Sequence, residues 1–92
     1  MNQARARIFI SGRVQGVFFR AGAQSKAKKF GVSGFARNLE DGRVEIVAEG
    51  EKENVSKLIN WLRKGSLFAK VEKVEVEWEE YRGEFGGFEI KY

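Results

Sequence analysis

The apolar residues of this chain change their spacing as the sequence runs, and the order of those changes leaves few folds open. From Arg5 to Ser11 the period is two: Ala6, Ile8 and Ile10 fall on one face and Arg5, Arg7 and Phe9 on the other, as in a half-buried strand. From Phe19 the spacing lengthens through Ala23, Ala27 and Phe30, which share one face of a helix. That helix carries Lys26, Lys28 and Lys29 toward its C-terminal end and stops at Gly31. Val32 to Asn38 reads as a second strand and Asp41-Gly42 as a hairpin turn. Val44, Ile46 and Ala48, alternating with Glu45, Val47 and Glu49, then form a third strand. Helical spacing returns over residues 51–64, where Val55, Leu58, Ile59 and Leu62 share a face. Glu51 and Glu53 open that helix, and Arg63 and Lys64 close it before Gly65. Val74, Val76 and Trp78 alternate with Glu75, Glu77 and Glu79 in a fourth strand with one wet face. Phe88, Ile90 and Tyr92 make a short fifth, reached through Gly83, Gly86 and Gly87.

The order is β-α-β-β-α-β with a short strand at the end. Two helices on one face of a mainly antiparallel sheet accommodate it: an α+β fold, a two-layer sandwich of ferredoxin-like arrangement, filled by one domain over residues 1–92. A chain of this length buries roughly 60–70% of the surface its unfolded form exposes, enough to fold without staples. It has no cysteine and no histidine. Disulfides, thiolate metal sites and a cysteine nucleophile are excluded, and the usual general base and commonest metal ligand are missing. Ser11, Ser25, Ser33, Ser56 and Ser66 have no histidine partner to activate them. Glu72, Glu75, Glu77, Glu79 and Glu80 read as a solvated strand face rather than a calcium site. No metal or cofactor is expected. No apolar run reaches the ~20 residues of a membrane span, and Met1-Asn2-Gln3-Ala4-Arg5 opens no signal peptide. The expectation is a soluble, cytoplasmic monomer with no membrane partner.

Such a fold hosts many functions, so the sites must decide. Residues 1–40 hold eight Lys/Arg against the single acid Glu40, a balance of +7, whereas residues 41–92 balance at −3. A front half this cationic gathers anions or simply keeps the chain soluble. Gly12 to Arg20, "GRVQGVFFR", carries that charge where a strand hands over to a helix. There the backbone N–H groups lack internal acceptors and the helix dipole is positive. Gly12 and Gly16 allow successive amides to turn inward as a nest for a tetrahedral anion, and Arg20 offers a planar fork to two of its oxygens. No Gly-Lys-Ser/Thr follows, so the loop is not a nucleotide-binding Walker sequence. Arg13, at the rim, adds field only. Asn38, before the hairpin turn, suits turn chemistry; alternatively its amide holds a water by accepting from it and donating to it.

Ile10 to Arg20, "ISGRVQGVFFR", resembles the first signature of the acylphosphatase family, and Gly34 to Gly50, "GFARNLEDGRVEIVAEG", resembles the second. Together they cover 28 residues, and the element order matches the family over the whole chain. The resemblance implies hydrolysis of a carboxyl–phosphate anhydride in a small acyl phosphate, with inorganic phosphate as product and competitive inhibitor. It implies that the amides of Gln15, Gly16, Val17, Phe18 and Phe19, with Arg20, bind the phosphoryl group and that Asn38 orients the attacking water. It also implies that Gly12 keeps loop and asparagine in register, and that the terminal carboxylate at Tyr92 pairs with Arg20. Leu39 departs from the threonine that vertebrate members often carry beside the asparagine.

A ferredoxin-like RNA-binding module is the alternative, since Phe85-Gly86-Gly87-Phe88 faintly echoes an aromatic RNA-stacking strand. Against it, paired aromatic motifs on two central strands are missing and the glutamates of the fourth strand repel phosphates. Phe35, Trp61, Trp78 and Phe88 read as core or edge packing, and no nucleic-acid partner is expected.

Overall fold

In the computed structural model, which describes Asn2–Tyr92, β1 (Gln3–Arg13) is followed by α1 (Phe19–Phe30), β2 (Ser33–Asn38) and β3 (Val44–Glu51). Then come α2 (Lys52–Lys64), β4 (Lys70–Glu79) and β5 (Phe88–Lys91). The strands form one sheet in the order β4-β1-β3-β2-β5. All neighbours are antiparallel except β2 and β5, which run parallel. The alternation in β1 does what strand geometry requires. Ala6, Ile8 and Ile10 are fully buried, pair with Ala48, Ile46 and Val44 of β3, and face both helices. Phe19, Ala23 and Ala27 of α1 and Val55, Leu58, Ile59 and Leu62 of α2 complete that core. Each large aliphatic side chain so buried contributes about 1.5–3 kcal/mol. Gly31, in the left-handed region, ends α1 and lets the Val32 N–H turn back to the Ala27 carbonyl. Among the described residues no helix is long and apolar enough to cross a membrane.

β4 begins at Lys70, four residues ahead of the alternation that marked it, and β1 runs on to Arg13. The reason is a bulge. Register shifts between Ser11 and Gly12, so that Gly12 pairs with Val71 and Arg13 with Lys70. A period-two pattern does not continue through an inserted residue. At φ +121° and with a Cβ there colliding with the Lys70 carbonyl, only glycine fits at position 12.

The face away from the helices corrects the solvated-strand expectation at Glu79 alone. Glu75 and Glu77 are exposed, but Glu79 accepts hydrogen bonds from Nε of both Arg5 and Arg7, each at 2.9 Å. Glu45 accepts from Arg7 and Arg37, and Glu49 from Nη1 of Arg5 at 3.0 Å. The registers make this possible, since Arg5 stands between Glu79 on β4 and Glu49 on β3. Residues 80–87 then strap the face. The Glu49 carboxylate accepts the N–H groups of Arg82 at 2.8 Å and of Gly83 and Glu84 at 3.3 Å. Arg5 bonds Glu84, and its guanidinium lies 5.4 Å from the Phe85 ring. Arg5 and Glu49 end up 2% and 1% exposed. Burial acts against ionisation of Glu49, but the Arg82 N–H, the Arg5 guanidinium and the Gly83 and Glu84 N–H groups outweigh it and hold the carboxyl below its ordinary range. Arg7 first, then Arg5, do the same for Glu79.

Candidate active site

Ile10 of β1, Val44 of β3 and Asn38 of β2 stand in one row across the sheet. Ala36, two residues before Asn38, is fully buried on the helix side, so strand periodicity points Asn38 to that side too. The ends of β1 and β2 lie on strands that are not neighbours. β3 lies between them. Two strand spacings amount to about 10 Å, and the loop after β1 spans that gap. The Gln15 side chain donates from Nε2 to the carbonyls of Leu39 at 2.8 Å and Arg43 at 3.0 Å. Those carbonyls form the neck of the β2–β3 hairpin, where the Leu39 N–H also bonds the Arg43 carbonyl. Leu39 thus acts here through its backbone. The side-chain function of Gln15 was missed because a glutamine bonding two distant carbonyls leaves no mark on sequence spacing. A Gln15→Ala variant is expected to lower kcat/KM by about 10- to 100-fold through misplacement of the loop against Asn38, with a much smaller change in thermal stability. Steady-state kinetics and a melting curve check it.

The loop turns tightly between Val14, which is buried, and α1. Gly16 has φ +73° and Phe18 φ +61°, the one non-glycine residue with positive φ among those described. Within the described residues the N–H groups of Gln15, Gly16, Val17 and Phe18 donate to no protein acceptor. Those of Phe19 and Arg20 lie in the first turn of α1, where helix geometry provides none. No acid sits in that turn. Successive free amides at a positive helix end, beside an arginine, make a receptive concavity for an anion. It opens into a hollow of about 260 Å³ lined by Gly16, Phe18, Arg20, Ile90 and Tyr92 among others.

The loop is held from behind. Phe19 is buried with its ring 5.7 Å from Trp61, and the Val17 carbonyl accepts from Ser66 Oγ at 2.7 Å. Phe18, by contrast, is 78% exposed. Gly12 sits at the bulge opposite Val71 of β4, where a Cβ would collide with the Lys70 carbonyl. Arg13 is exposed opposite Lys70.

Arg20 is half-buried. Its Nη1 donates to the Lys91 carbonyl at 3.1 Å and its guanidinium lies 4.9 Å from the centre of the Tyr92 ring. Among the described residues Arg20 makes no ion pair, and Tyr92 meets it with its ring. The parallel register, which sets Lys91 beside Arg37, brings that carbonyl to the arginine. Asn38 Oδ1 is buried and, among the described residues, has no hydrogen-bond partner. An acceptor so placed costs about 1–3 kcal/mol unless a donor reaches it, and buried polar atoms of this kind are commonly satisfied by water.

The aromatic residues do not form a stacking platform. Phe88 is buried, Phe35 and Phe85 pack edge to face at 6.1 Å, Trp61 packs on Phe19, and Lys52 lies over Trp78. The RNA-binding alternative finds no support.

Fold and site define a class: a ferredoxin-like α+β domain whose β1–α1 loop leaves successive amides without a protein acceptor among the described residues, at the same sheet end as a buried asparagine oxygen. The acylphosphatase family model matches residues 6–90. A relative from Roseiflexus sp. (strain RS-1), named acylphosphatase, is 57% identical over 90 residues, which span 98% of this chain and 97% of the relative. The crystal structure of acylphosphatase from Bacillus subtilis matches with a TM-score of 0.93 and 37% identity, over 97% of this chain and 99% of that one. An acylphosphatase from Coxiella burnetii matches with a TM-score of 0.92 and 34% identity, over 98% and 94% of the two chains. The chain belongs to the acylphosphatase family.

Proposed function

We propose that the protein hydrolyses the carboxyl–phosphate bond of small acyl phosphates, releasing carboxylate and inorganic phosphate without a metal ion. The observation that carries this reading is Asn38 Oδ1, buried without a partner among the described residues, at the sheet end where the loop amides and Arg20 lie. The phosphoryl oxygens bind the N–H groups of Gln15 to Phe19 and the fork of Arg20. These donors stand ready where charge spreads over the equatorial oxygens in the transition state. Asn38 Oδ1 accepts one hydrogen of a water, leaving a lone pair free to attack phosphorus in line with the leaving oxygen. As the new P–O bond forms, the bond from phosphorus to the acyl oxygen breaks and its electron pair leaves with the carboxylate. A carboxylate departs without a general acid. Asn38 cannot take the water's proton, which passes to a phosphoryl oxygen, so the chemistry closes in a chain without histidine or cysteine.

Inorganic phosphate, carrying the same oxygens, competes for the nest. A monomer fits the edge position of β4 among the described strands, where the charged Lys70, Glu72, Lys73 and Glu75 oppose edge-to-edge pairing. The test is hydrolysis of acetyl phosphate in excess chelator, with added inorganic phosphate. Full activity and competitive inhibition are expected; activity that disappears with chelator would overturn the metal-free mechanism.

A further inference from the structure

The bond between Ser66 Oγ and the Val17 carbonyl joins residues 49 apart in sequence, in a turn the reaction scheme does not otherwise use. A hydroxyl can only donate to a carbonyl, so the direction is fixed. In a trans peptide the carbonyl of Val17 and the N–H of Phe18 share one plane and point opposite ways. Holding one aims the other. The plane needs holding, because Phe18 sits at φ +61°, a conformation unfavourable for a bulky residue. Rotation of the Val17–Phe18 peptide would return Phe18 to negative φ and swing its N–H away. The turn that supplies Ser66 is itself anchored. The Ala69 N–H bonds the Ser66 carbonyl at 3.0 Å. Gly65, at φ +78°, is packed so closely that an added Cβ would stand 3.1 Å from the Phe19 ring and from Ala69.

We propose that Ser66 is a positioning residue for phosphoryl binding: by holding the Val17 carbonyl it keeps the Phe18 N–H turned into the anion nest. This rests on the nest reading above and adds a residue from the α2–β4 turn to it.

The test follows backbone amides by NMR during titration with inorganic phosphate, together with phosphate inhibition of acetyl phosphate hydrolysis. In the wild type, phosphate shifts the Phe18 amide along with those of Gly16 and Phe19. In Ser66→Ala the Phe18 shift collapses and phosphate inhibition weakens by about tenfold, less than the 10²–10³ typical of deleting a donor outright. Ser66→Thr restores both. A Ser66→Ala protein with a normal Phe18 shift and normal inhibition overturns the inference, even if it melts earlier. So does a wild type in which phosphate moves Gly16 and Phe19 but not Phe18. Failure of the nest itself shows differently: no loop amide moves in the wild type, or Arg20→Ala retains full phosphate inhibition.

Discussion

Replacing Arg20 by alanine is expected to lower kcat/KM for a simple acyl phosphate by about 10³-fold or more and to abolish inhibition by inorganic phosphate. Removing a single preorganised donor already costs about 10²–10³ in rate. Arg20 supplies two donors and the only full positive charge among the nest residues Gln15 to Arg20. Asn38→Ala is expected to separate from it. Its loss falls on kcat, again by about 10²–10³, while KM and phosphate inhibition stay near wild type, because the amide meets the water and not the phosphoryl group. Steady-state kinetics on the two variants, with phosphate as inhibitor, reads both quantities. Equal effects on phosphate binding would remove the division of labour between them. An Asn38→Ala protein of normal kcat would remove the water-positioning role.

The second large effect lies on the opposite face of the sheet. Arg5→Met is expected to lower the unfolding free energy by about 3–5 kcal/mol, the usual result of removing one partner of a buried ion pair. Glu49 is left 1% exposed without its cation, and Glu79 and Glu84 lose a partner as well. Elsewhere, replacing both members of such a pair by apolar residues often recovers the loss. Here Arg5→Met with Glu49→Leu is expected not to recover it. Glu49 also accepts the N–H groups of Arg82, Gly83 and Glu84, which a leucine would leave without an acceptor. The same carboxylates set the acid limit. Glu49 and Glu79 are held below the ordinary value, so at low pH the unfolded chain binds protons that the folded one refuses. Their contribution is present in full above an unfolded glutamate pKa of about 4.3 and is lost as pH falls through the lowered folded values. Urea unfolding at neutral and acid pH checks both points, and Arg5→Met should flatten the acid slope.

Much of this was legible in the sequence, for physical reasons that also mark where reading stopped. Period-two and helical spacing report which face of an element is buried. Ala6, Ile8, Ile10 and the stripe from Val55 to Leu62 therefore reached the core as expected. The loop from Gly12 to Arg20 and Asn38 were legible because glycine placement, charge and family signature coincide there. Spacing within one strand says nothing of which strand lies beside it. It carried no sign that β3 separates β1 from β2, and it left Glu79 in water although Arg5 and Arg7 both reach it. Gln15 and Ser66 were illegible as ties because each bonds a backbone carbonyl, a group every residue carries.

Arg20 takes its orientation from the carbonyl of Lys91, 71 residues further along the chain, on an edge strand that joins the sheet in parallel. Long-range parallel pairings form slowly, because the loop must close before any contact offsets its entropy. The helix that carries Arg20 can therefore be in place, with Phe19 packed on Trp61, before the arginine is aimed. In a refolding experiment turnover is expected to return no earlier than closure of this edge, so that catalysis reports on completion of the sheet, which activity regain set against tryptophan fluorescence would check.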